Sequence, residues 1–219
     1  MIDTSIAVIA AAAIKATGDV LSAWIQRGGR QEQKPVSGEQ EVRNVPPDVI
    51  RLRDLRLGDV RRFLAERSIV LRQVSDGDDI PGSYWGAPEA GLIGNNLYAR
   101  RDTPIHSILH TACHWLCMNE ERRAAAHTNA GGDDVEEVAV CYLQCLLADE
   151  LPGYSRRQAF VDMDLWEYSF RLGSAKAWFE ADAEDAQAWL VERDLVALDE
   201  HGIICSTAGR RPLAARLRA

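Results

Sequence analysis

Residues 106–118 read HSILHTACHWLCM and carry three of the five histidines in the chain. Residues four apart lie on the same side of a helix, so a helical conformation would put His106, His110 and His114 in one stripe. The stripe beside it is apolar and consists of Ile105, Ile108, Leu109, Ala112 and Leu116. The pattern predicts an amphipathic helix whose histidines border the buried core.

The boundaries of this helix can be read from the sequence around it. Thr103 followed by Pro104 is typical of a helix start, with threonine as the cap and proline in the first turn. We expect the helix to run from there to about Asn119. A second helix is predicted over about 134–150, where VEEVAVCYLQCLLADEL follows a loop that ends in two aspartates.

The other predicted elements place the chain in the α+β class, mostly helical. The further helices are 55–68, 155–180 and 183–195. The strands are 68–74, a short strand after the turn at 94–96, and a hairpin over 195–206. A small sheet packed against the histidine helix is the expected arrangement.

Residues 1–46 are predicted to stand apart from the main domain, which then covers 47–219. SIAVIAAAAI at 5–14 is apolar but has only about half the length needed to span a bilayer. We expect one helix with an apolar face, followed by a polar linker over 28–46. Contact of this helix with a membrane surface is the alternative interpretation.

Charge and cysteine content limit the partners and the compartment. The net charge of −8 argues against binding to nucleic acid or to an anionic membrane. Five cysteines, four of them paired at helical i,i+4 spacing, do not resemble a secreted disulfide framework. We therefore expect reduced thiols and a cytoplasmic protein. The sequence predicts no oligomeric state.

His110 and His114 have the spacing of a metal-binding pair. In H-E-x-x-H helices, two imidazoles one turn apart bind one Zn²⁺ from the same side. HTACH at 110–114 has this outline, with Thr111 where that motif has glutamate. The metal would need a third protein ligand from another element and would keep one open coordination position.

The second predicted helix offers the third ligand, because it carries Glu136 and Glu137 near its start. Glu137 is favoured slightly, since Cys141 and Gln144 follow it on its helix face and are small or polar. Glu136 is followed by more apolar residues on its own face. The two glutamates are not separated by the sequence, and the two aspartates before the helix are further alternatives.

A family resemblance supports this site. PGSYWGAPEAGLIGNNLYARRDTPIHSILHTACHWLCM resembles a bacterial family with a TPxHSxLHEACHxxCM helix, and EEVAVCYLQ at 136–144 matches its downstream EExAVCYLQ pattern. That family is similar to zincin-like metallopeptidases of the gluzincin kind, in which a downstream glutamate is the third zinc ligand. The resemblance implies a Zn²⁺ site built by His110, His114 and one of the two glutamates. It also implies that NNLYARR at 95–101 is the strand that lines the cleft.

Thr111 is the departure from that family. The glutamate of H-E-x-x-H enzymes polarises water and transfers its proton, and a threonine hydroxyl is not a comparable base. Its loss would remove a rate contribution of about 10²–10⁴. The prediction is a metallopeptidase-like protein that is weak or inactive as a peptidase, a pseudoenzyme, unless another carboxylate such as Glu89 or Glu120 substitutes.

Three neighbouring residues are candidates for supporting the metal ligands without binding the metal themselves: His106, Cys113 and Cys141. The simpler interpretation makes the cysteines small core residues where two helices pack. The alternative is a thiolate metal or redox site shared by both helices.

Three functions remain open on these grounds. The first is a zinc-binding protein with a peptide or protein ligand and little peptidase activity. The second is an interaction protein that keeps the fold without metal and without enzymatic activity. The third is a metal-dependent hydrolase that uses a different base. The distance between the histidine pair and the two glutamates decides whether the first and third are possible.

Overall fold

The computed structural model describes residues 48–128, 130 and 132–198, together with the backbone of 204–206. The helix and linker predicted within residues 1–46 lie outside the described residues. The helices are α1 (Leu57–Ala65), α2 (Ile105–Cys117), α3 (Glu120–Ala125), α4 (Asp134–Ala148), α5 (Arg156–Leu165), α6 (Ala175–Ala181) and α7 (Glu184–Glu192). The strands are β1 (Val70–Gln73), β2 (Gly91–Ile93), β3 (Asn96–Ala99), β4 (Val196–Leu198) and β5 (Ile204–Ser206). About half of the described residues are helical, and the predicted α+β class is confirmed.

The sheet before α2 is three-stranded and mixed, in the order β1-β3-β2. β3 lies in the centre, pairs in parallel with β1 and pairs antiparallel with β2. Leu71 and Leu92 both lie opposite Leu97, and all three side chains are buried. The alternation of buried and more exposed side chains along β3 directs one face of the sheet into the core.

The structure corrects the assignment of the strand that borders the cleft. The sequence predicts only the strand after the turn at 94–96, which is β3, and the resemblance implies that it lines the cleft. β2, before that turn, forms the edge of the sheet, and Leu92 lines the cavity beside α2. A three-residue strand gives too short a pattern to be recognised without its partner β3.

The start of α2 differs by one residue from the prediction. Pro104 has an extended backbone (φ −62°, ψ 142°) and is itself the cap, so the helix begins at Ile105. The hydroxyl of Thr103 accepts the backbone N–H of Arg100 at 2.9 Å instead of capping the helix. The helix ends at Cys117, close to the predicted position, and α3 follows as an additional short helix.

The segment 155–180 forms two helices rather than the single predicted one. α5 ends at Leu165, and α6 starts at Ala175 after a connection in which Glu167 has a positive φ of 64°. The carboxylate of Asp164 accepts the N–H of Ala175 at 2.7 Å, which stabilises the break. The connection brings Trp166 and Tyr168 against α2.

The core is centred on α4, which packs against α2, α5 and α7. Small side chains are buried on both α2 and α4, including Ala112, Cys113, Ala139 and Cys141, and they allow the two helices to approach closely. The first turn of α2 lies beside the C-terminal half of α4, since Gln144 donates to the carbonyl of His106. The two helices are therefore antiparallel.

The predicted C-terminal hairpin is confirmed, because β4 and β5 pair antiparallel with Val196 opposite Ser206. Its turn residues lie outside the described part of the chain. None of the described helices combines the length and the apolar character that crossing a bilayer would require.

Candidate metal centre

α2 and α4 bring His110, His114 and Glu137 together. The Nε2 atom of His110 lies 3.1 Å from Oε1 of Glu137, and Nε2 of His114 lies 3.2 Å from Oε2 of the same carboxylate. The two Nε2 atoms are 3.1 Å apart. Within the described ranges this is the one group of three or more His, Cys, Asp or Glu residues whose ligand atoms could hold a metal ion.

The separations within the cluster are compatible with tetrahedral zinc. Bonds of about 2.0–2.1 Å in a tetrahedral arrangement place neighbouring ligand atoms about 3.3 Å apart. The two histidine nitrogens are 3.1 Å apart, and each lies 3.1–3.2 Å from one of the two oxygens of the Glu137 carboxylate. Two imidazoles and one carboxylate are also the donor set of catalytic zinc sites, which leave one coordination position open.

Gln144 fixes the orientation of the His110 ring. Its amide nitrogen donates to the carbonyl of His106 at 3.2 Å, so the amide oxygen is the atom that faces His110, 3.1 Å from Nδ1. Nδ1–H therefore donates to this oxygen, and Nε2 is the ring nitrogen directed at the cluster. The thiol of Cys141 also hydrogen-bonds to His110, so two residues of α4 hold the ring.

The cluster is strongly polarised. Burial alone would lower the pKa of His110, but the adjacent Glu137 carboxylate outweighs it and raises that pKa well above its ordinary value. Burial alone would raise the pKa of Glu137, but His110 and His114 hold it well below its usual range. The pair is therefore ionised at neutral pH, and a bound cation would take the place of the His110 proton.

Glu136 lies outside the cluster. Its carboxylate receives two hydrogen bonds from the Arg122 guanidinium of α3, at 2.6 and 2.8 Å, and its side chain is buried in that ion pair. One residue of helix rotation separates Glu136 from Glu137 and points the two carboxylates to different sides. Glu137 is thus the glutamate that the structure brings to the histidines.

The three proposed supporting residues have different surroundings. Cys141 contacts His110 directly, as described above. Cys113 is fully buried in the core, where burial raises the pKa of its thiol. His106 is 0% exposed, and its ring packs against Trp166 and Tyr168, with ring centroids 5.0 and 5.7 Å away. Only the backbone carbonyl of His106 takes part in supporting the cluster.

The buried thiols do not form a thiolate site within the described residues. Cys113, Cys117, Cys141 and Cys145 are all free and buried. Burial raises the pKa of every one of them, to about 11 for Cys141. They are neutral at physiological pH, which is the simpler of the two interpretations that the sequence left open.

The cluster lies in the wall of an open cavity of about 290 Å³. Thr111 lines this cavity, and so does Glu89, whose loop precedes β2. The indole N–H of Trp166 donates to Oε1 of Glu89 at 2.6 Å, and the hydroxyl of Ser107 accepts the N–H of Ala90 at 3.0 Å. These two bonds fix Glu89 beside α2.

Several residues of the site carry no signal in the sequence. Tyr168 meets His110 edge to face, with ring centroids 6.0 Å apart, and its hydroxyl hydrogen-bonds to Gln144. Trp166 and Tyr168 belong to an irregular connection, where no periodicity predicts which side they face. Gln144 is visible in the sequence as a polar residue on the face of Glu137, but its hydrogen bonds are not. Glu120 is exposed at the start of α3 and does not line the cavity.

Comparison of the chain with protein-family models, with curated proteins and with solved structures gives no match.

Proposed function

We propose that this protein binds Zn²⁺ through His110, His114 and Glu137 in a zincin-like site that opens onto a ligand-binding cavity. The observation that carries the proposal is the convergence of the two imidazoles and the Glu137 carboxylate in the wall of that cavity, with each imidazole nitrogen 3.1–3.2 Å from one carboxylate oxygen. Membership of the zincin-like family rests on the HTACH and EEVAVCYLQ motifs together with this cluster. A cytoplasmic location stays a prediction from the cysteine content.

Zinc suits this donor set better than calcium or magnesium, which prefer oxygen ligands. When bound, the ion would polarise a carbonyl group or activate water. Gln144 and Cys141 hydrogen-bond to the His110 ring and hold its orientation. A ring held in one tautomer by a neighbour binds metal more tightly than a freely rotating one.

Peptide hydrolysis by the route of H-E-x-x-H enzymes should be weak. Thr111 occupies the position of the glutamate and lines the cavity, but its hydroxyl has no useful basicity near neutral pH. The proposal is therefore a zinc-binding protein whose usual proton acceptor is absent from α2.

A second candidate function is a metal-dependent hydrolase that uses Glu89 as the base. Glu89 lines the same cavity as His110 and His114, and Trp166 binds one of its carboxylate oxygens. A carboxylate fixed in this way could accept a proton at the other oxygen. Glu120, the other carboxylate considered, lies away from the cavity and does not support this role.

Zinc stoichiometry tests the main proposal. The full chain is stripped with a chelator, reloaded with Zn²⁺, and measured by elemental analysis and by competition with a chromophoric chelator. We expect one zinc per chain and a loss of affinity of at least about 100-fold in His110→Ala. His127→Ala is the matched control, because His127 is exposed and outside the cluster. Wild-type protein without zinc would leave the metal-free interaction protein as the function.

Two substitutions separate the hydrolase from a zinc protein without activity. Thr111→Glu restores the carboxylate on α2 and should raise amide or ester hydrolysis by about 10²–10⁴ if wild type lacks a base. Glu89→Gln should abolish wild-type turnover, with zinc still bound, if Glu89 is the base. Wild-type turnover that survives Glu89→Gln would exclude the second candidate.

A further inference from the structure

The outer edge of β2 is already occupied. An edge strand normally presents unpaired N–H and C=O groups, and an extended peptide can add to it as a further strand. Here the N–H of Leu92 donates to the carbonyl of Gly82 at 3.0 Å, and the carbonyl of Leu92 accepts the N–H of Thr128 at 3.0 Å. Just beyond the strand, Gly94 donates to the carbonyl of Ala126 at 2.8 Å. No outward hydrogen-bonding group of Leu92 is left for a substrate.

Glycine permits this close cover on both sides. A Cβ atom on Gly82, which has a φ of +71°, would lie 2.6 Å from the carbonyl oxygen of Leu92. A Cβ atom on Gly91 would clash with the carbonyl oxygen of Pro81. The segment 81–83 and β2 therefore pack backbone against backbone, which only glycine at both positions allows. The wall of the cavity is closed to an added strand.

The charge of the cavity selects against anions. Its lining contains the carboxylates of Glu89 and Glu137 and, among the described residues, no lysine or arginine. A divalent cation at the cluster would offset these two negative charges and leave the cavity close to neutral. A carboxylate or phosphate on the part of the ligand away from the ion would lose its hydration without gaining a cationic partner. An uncharged ligand avoids this cost.

The mouth of the cavity is aromatic. Tyr84 and Trp85 line it, are 55% and 43% exposed, and meet edge to face with ring centroids 4.8 Å apart. Large exposed aromatic faces beside a polar centre favour contact with a flat apolar group. The cluster and this aromatic pair lie within one cavity of about 290 Å³, the size of a small-molecule site.

Building on the proposed zinc site, we infer that its ligand is a compact, uncharged acyl compound of amide or ester type with a flat apolar group. The acyl oxygen would lie at the cluster, and the flat group would lie against Tyr84 and Trp85. An extended polypeptide is not the ligand, because the edge of β2 offers it no hydrogen bonds. The inferred ligand differs in class from the peptide or protein ligand that the sequence suggested.

Hydroxamic acids test this inference, because they are acyl compounds that are neutral in solution near neutral pH and bind zinc. Isothermal titration of the zinc-loaded full chain compares acetohydroxamate, benzohydroxamate, 4-carboxybenzohydroxamate and the hydroxamate of N-acetyl-trialanine. All four lose the same hydroxamate proton when they bind zinc, so differences among them report the rest of the ligand. We expect benzohydroxamate to bind about tenfold more tightly than acetohydroxamate. The carboxylated ring should lose this gain, and the peptide extension should add no affinity. Trp85→Ala should weaken benzohydroxamate about tenfold more than acetohydroxamate.

The opposite order of affinities would overturn the inference. A trialanine hydroxamate that binds tenfold more tightly than acetohydroxamate, or a phenyl ring that adds nothing, is incompatible with it. Zinc content measured on the same samples separates the two proposals. A chain without zinc refutes the proposed function and the inference with it, whereas a zinc-loaded chain with the wrong preference refutes the inference alone.

Amide hydrogen exchange tests the covered edge without metal. The N–H of Leu92 should exchange at least about 100-fold more slowly than an unstructured amide, because Gly82 accepts its hydrogen bond in the folded state. Exchange of Leu92 at the rate of a free amide would show that the edge is open to a peptide, and the inference would fail.

Discussion

The first turn of α2 and the turn that follows it carry the same residue type in opposite electrical states. Burial lowers the pKa of His106 to about 3, and no described residue bonds either of its ring nitrogens. His110, one turn later, has a pKa raised well above its ordinary value, because a carboxylate of α4 outweighs the effect of burial. Burial without a counter-charge neutralises a side chain, whereas burial beside a counter-charge keeps it ionised.

The cysteines extend this comparison to the seam between α2 and α4. Cys113 and Cys145 lie in the core, and burial raises the pKa of each thiol. Cys141 is equally buried but touches His110, and the rise in its pKa, to about 11, is moderated by that contact. The two helices therefore have a polar face that carries the candidate metal ligands and an apolar seam that holds them together.

The largest expected effect on zinc affinity comes from replacing one of the two neighbouring glutamates, Glu137, with glutamine. Glu137→Gln removes the carboxylate ligand and its charge, so zinc affinity should fall at least about 100-fold in a chelator-competition assay. Glu136→Gln is the matched control, because it breaks only the ion pair with Arg122. It should lower the unfolding free energy and leave zinc affinity within about threefold. Equal losses of zinc in both variants would contradict the assignment of Glu137.

Gln144→Met should have the next largest effect on the polar face. Gln144 is fully buried and is the acceptor that fixes the tautomer of His110. Loss of such a partner typically costs about 10–100-fold in metal affinity. Gln187→Met is the control, since Gln187 bonds to the hydroxyl of Tyr142, away from the cluster. A Gln144 variant with wild-type zinc affinity would show that Cys141 alone orients the ring.

Substitutions in the apolar seam should lower the unfolding free energy and leave zinc affinity unchanged. Cys113→Ser puts a hydroxyl among apolar side chains and should lower the unfolding free energy by about 1–3 kcal/mol in urea denaturation. Cys141→Ser should cost less, because its hydroxyl can keep the hydrogen bond to His110. Zinc titration of Cys113→Ser should match wild type; a weakened site would place Cys113 in the polar face.

The last and smallest expected effect is a pH dependence of the unfolding free energy that comes from His106. The pKa of His106 is about 3 in the folded protein and about 6.5 when unfolded, so the unfolded state binds a proton first as the pH falls. His106 thus contributes stability above pH 6.5 that is lost progressively on acidification towards pH 3. In metal-free protein, the difference in unfolding free energy between wild type and His106→Leu should change by about 1.4 kcal/mol per pH unit between pH 6.5 and pH 3. Parallel urea midpoints at pH 7.5 and 5.5 would contradict a neutral, buried His106.

Much of the site follows from helical spacing alone. The stripe of His110 and His114, the two helices that carry the site and the loop between them are all readable from local pattern. The choice between Glu136 and Glu137 is not, because one residue of rotation decides it and the decisive partner, Arg122, lies on a helix that the pattern does not predict. The hydrogen bond between Glu89 and Trp166 joins residues 77 positions apart, and no local sequence pattern predicts it.

The strands were harder to predict than the helices for a similar reason. β2 has three residues, and its hydrogen bonds go to β3 on one side and to Gly82 and Thr128 on the other. Short strands are stabilised by partners distant in the chain rather than by their own sequence. The break between α5 and α6 likewise depends on Asp164 accepting the N–H of Ala175, which follows from the folded arrangement.

The amide of Gln144 has a consequence for assembly. Its nitrogen donates to the main-chain carbonyl of His106 on α2, and its oxygen accepts from the imidazole of His110. The ring is therefore oriented only after the two helices have packed in register. A cation that met α2 before docking would find the two histidines without the carboxylate of α4. Tight binding of the proposed zinc ion would therefore follow the packing of the two helices.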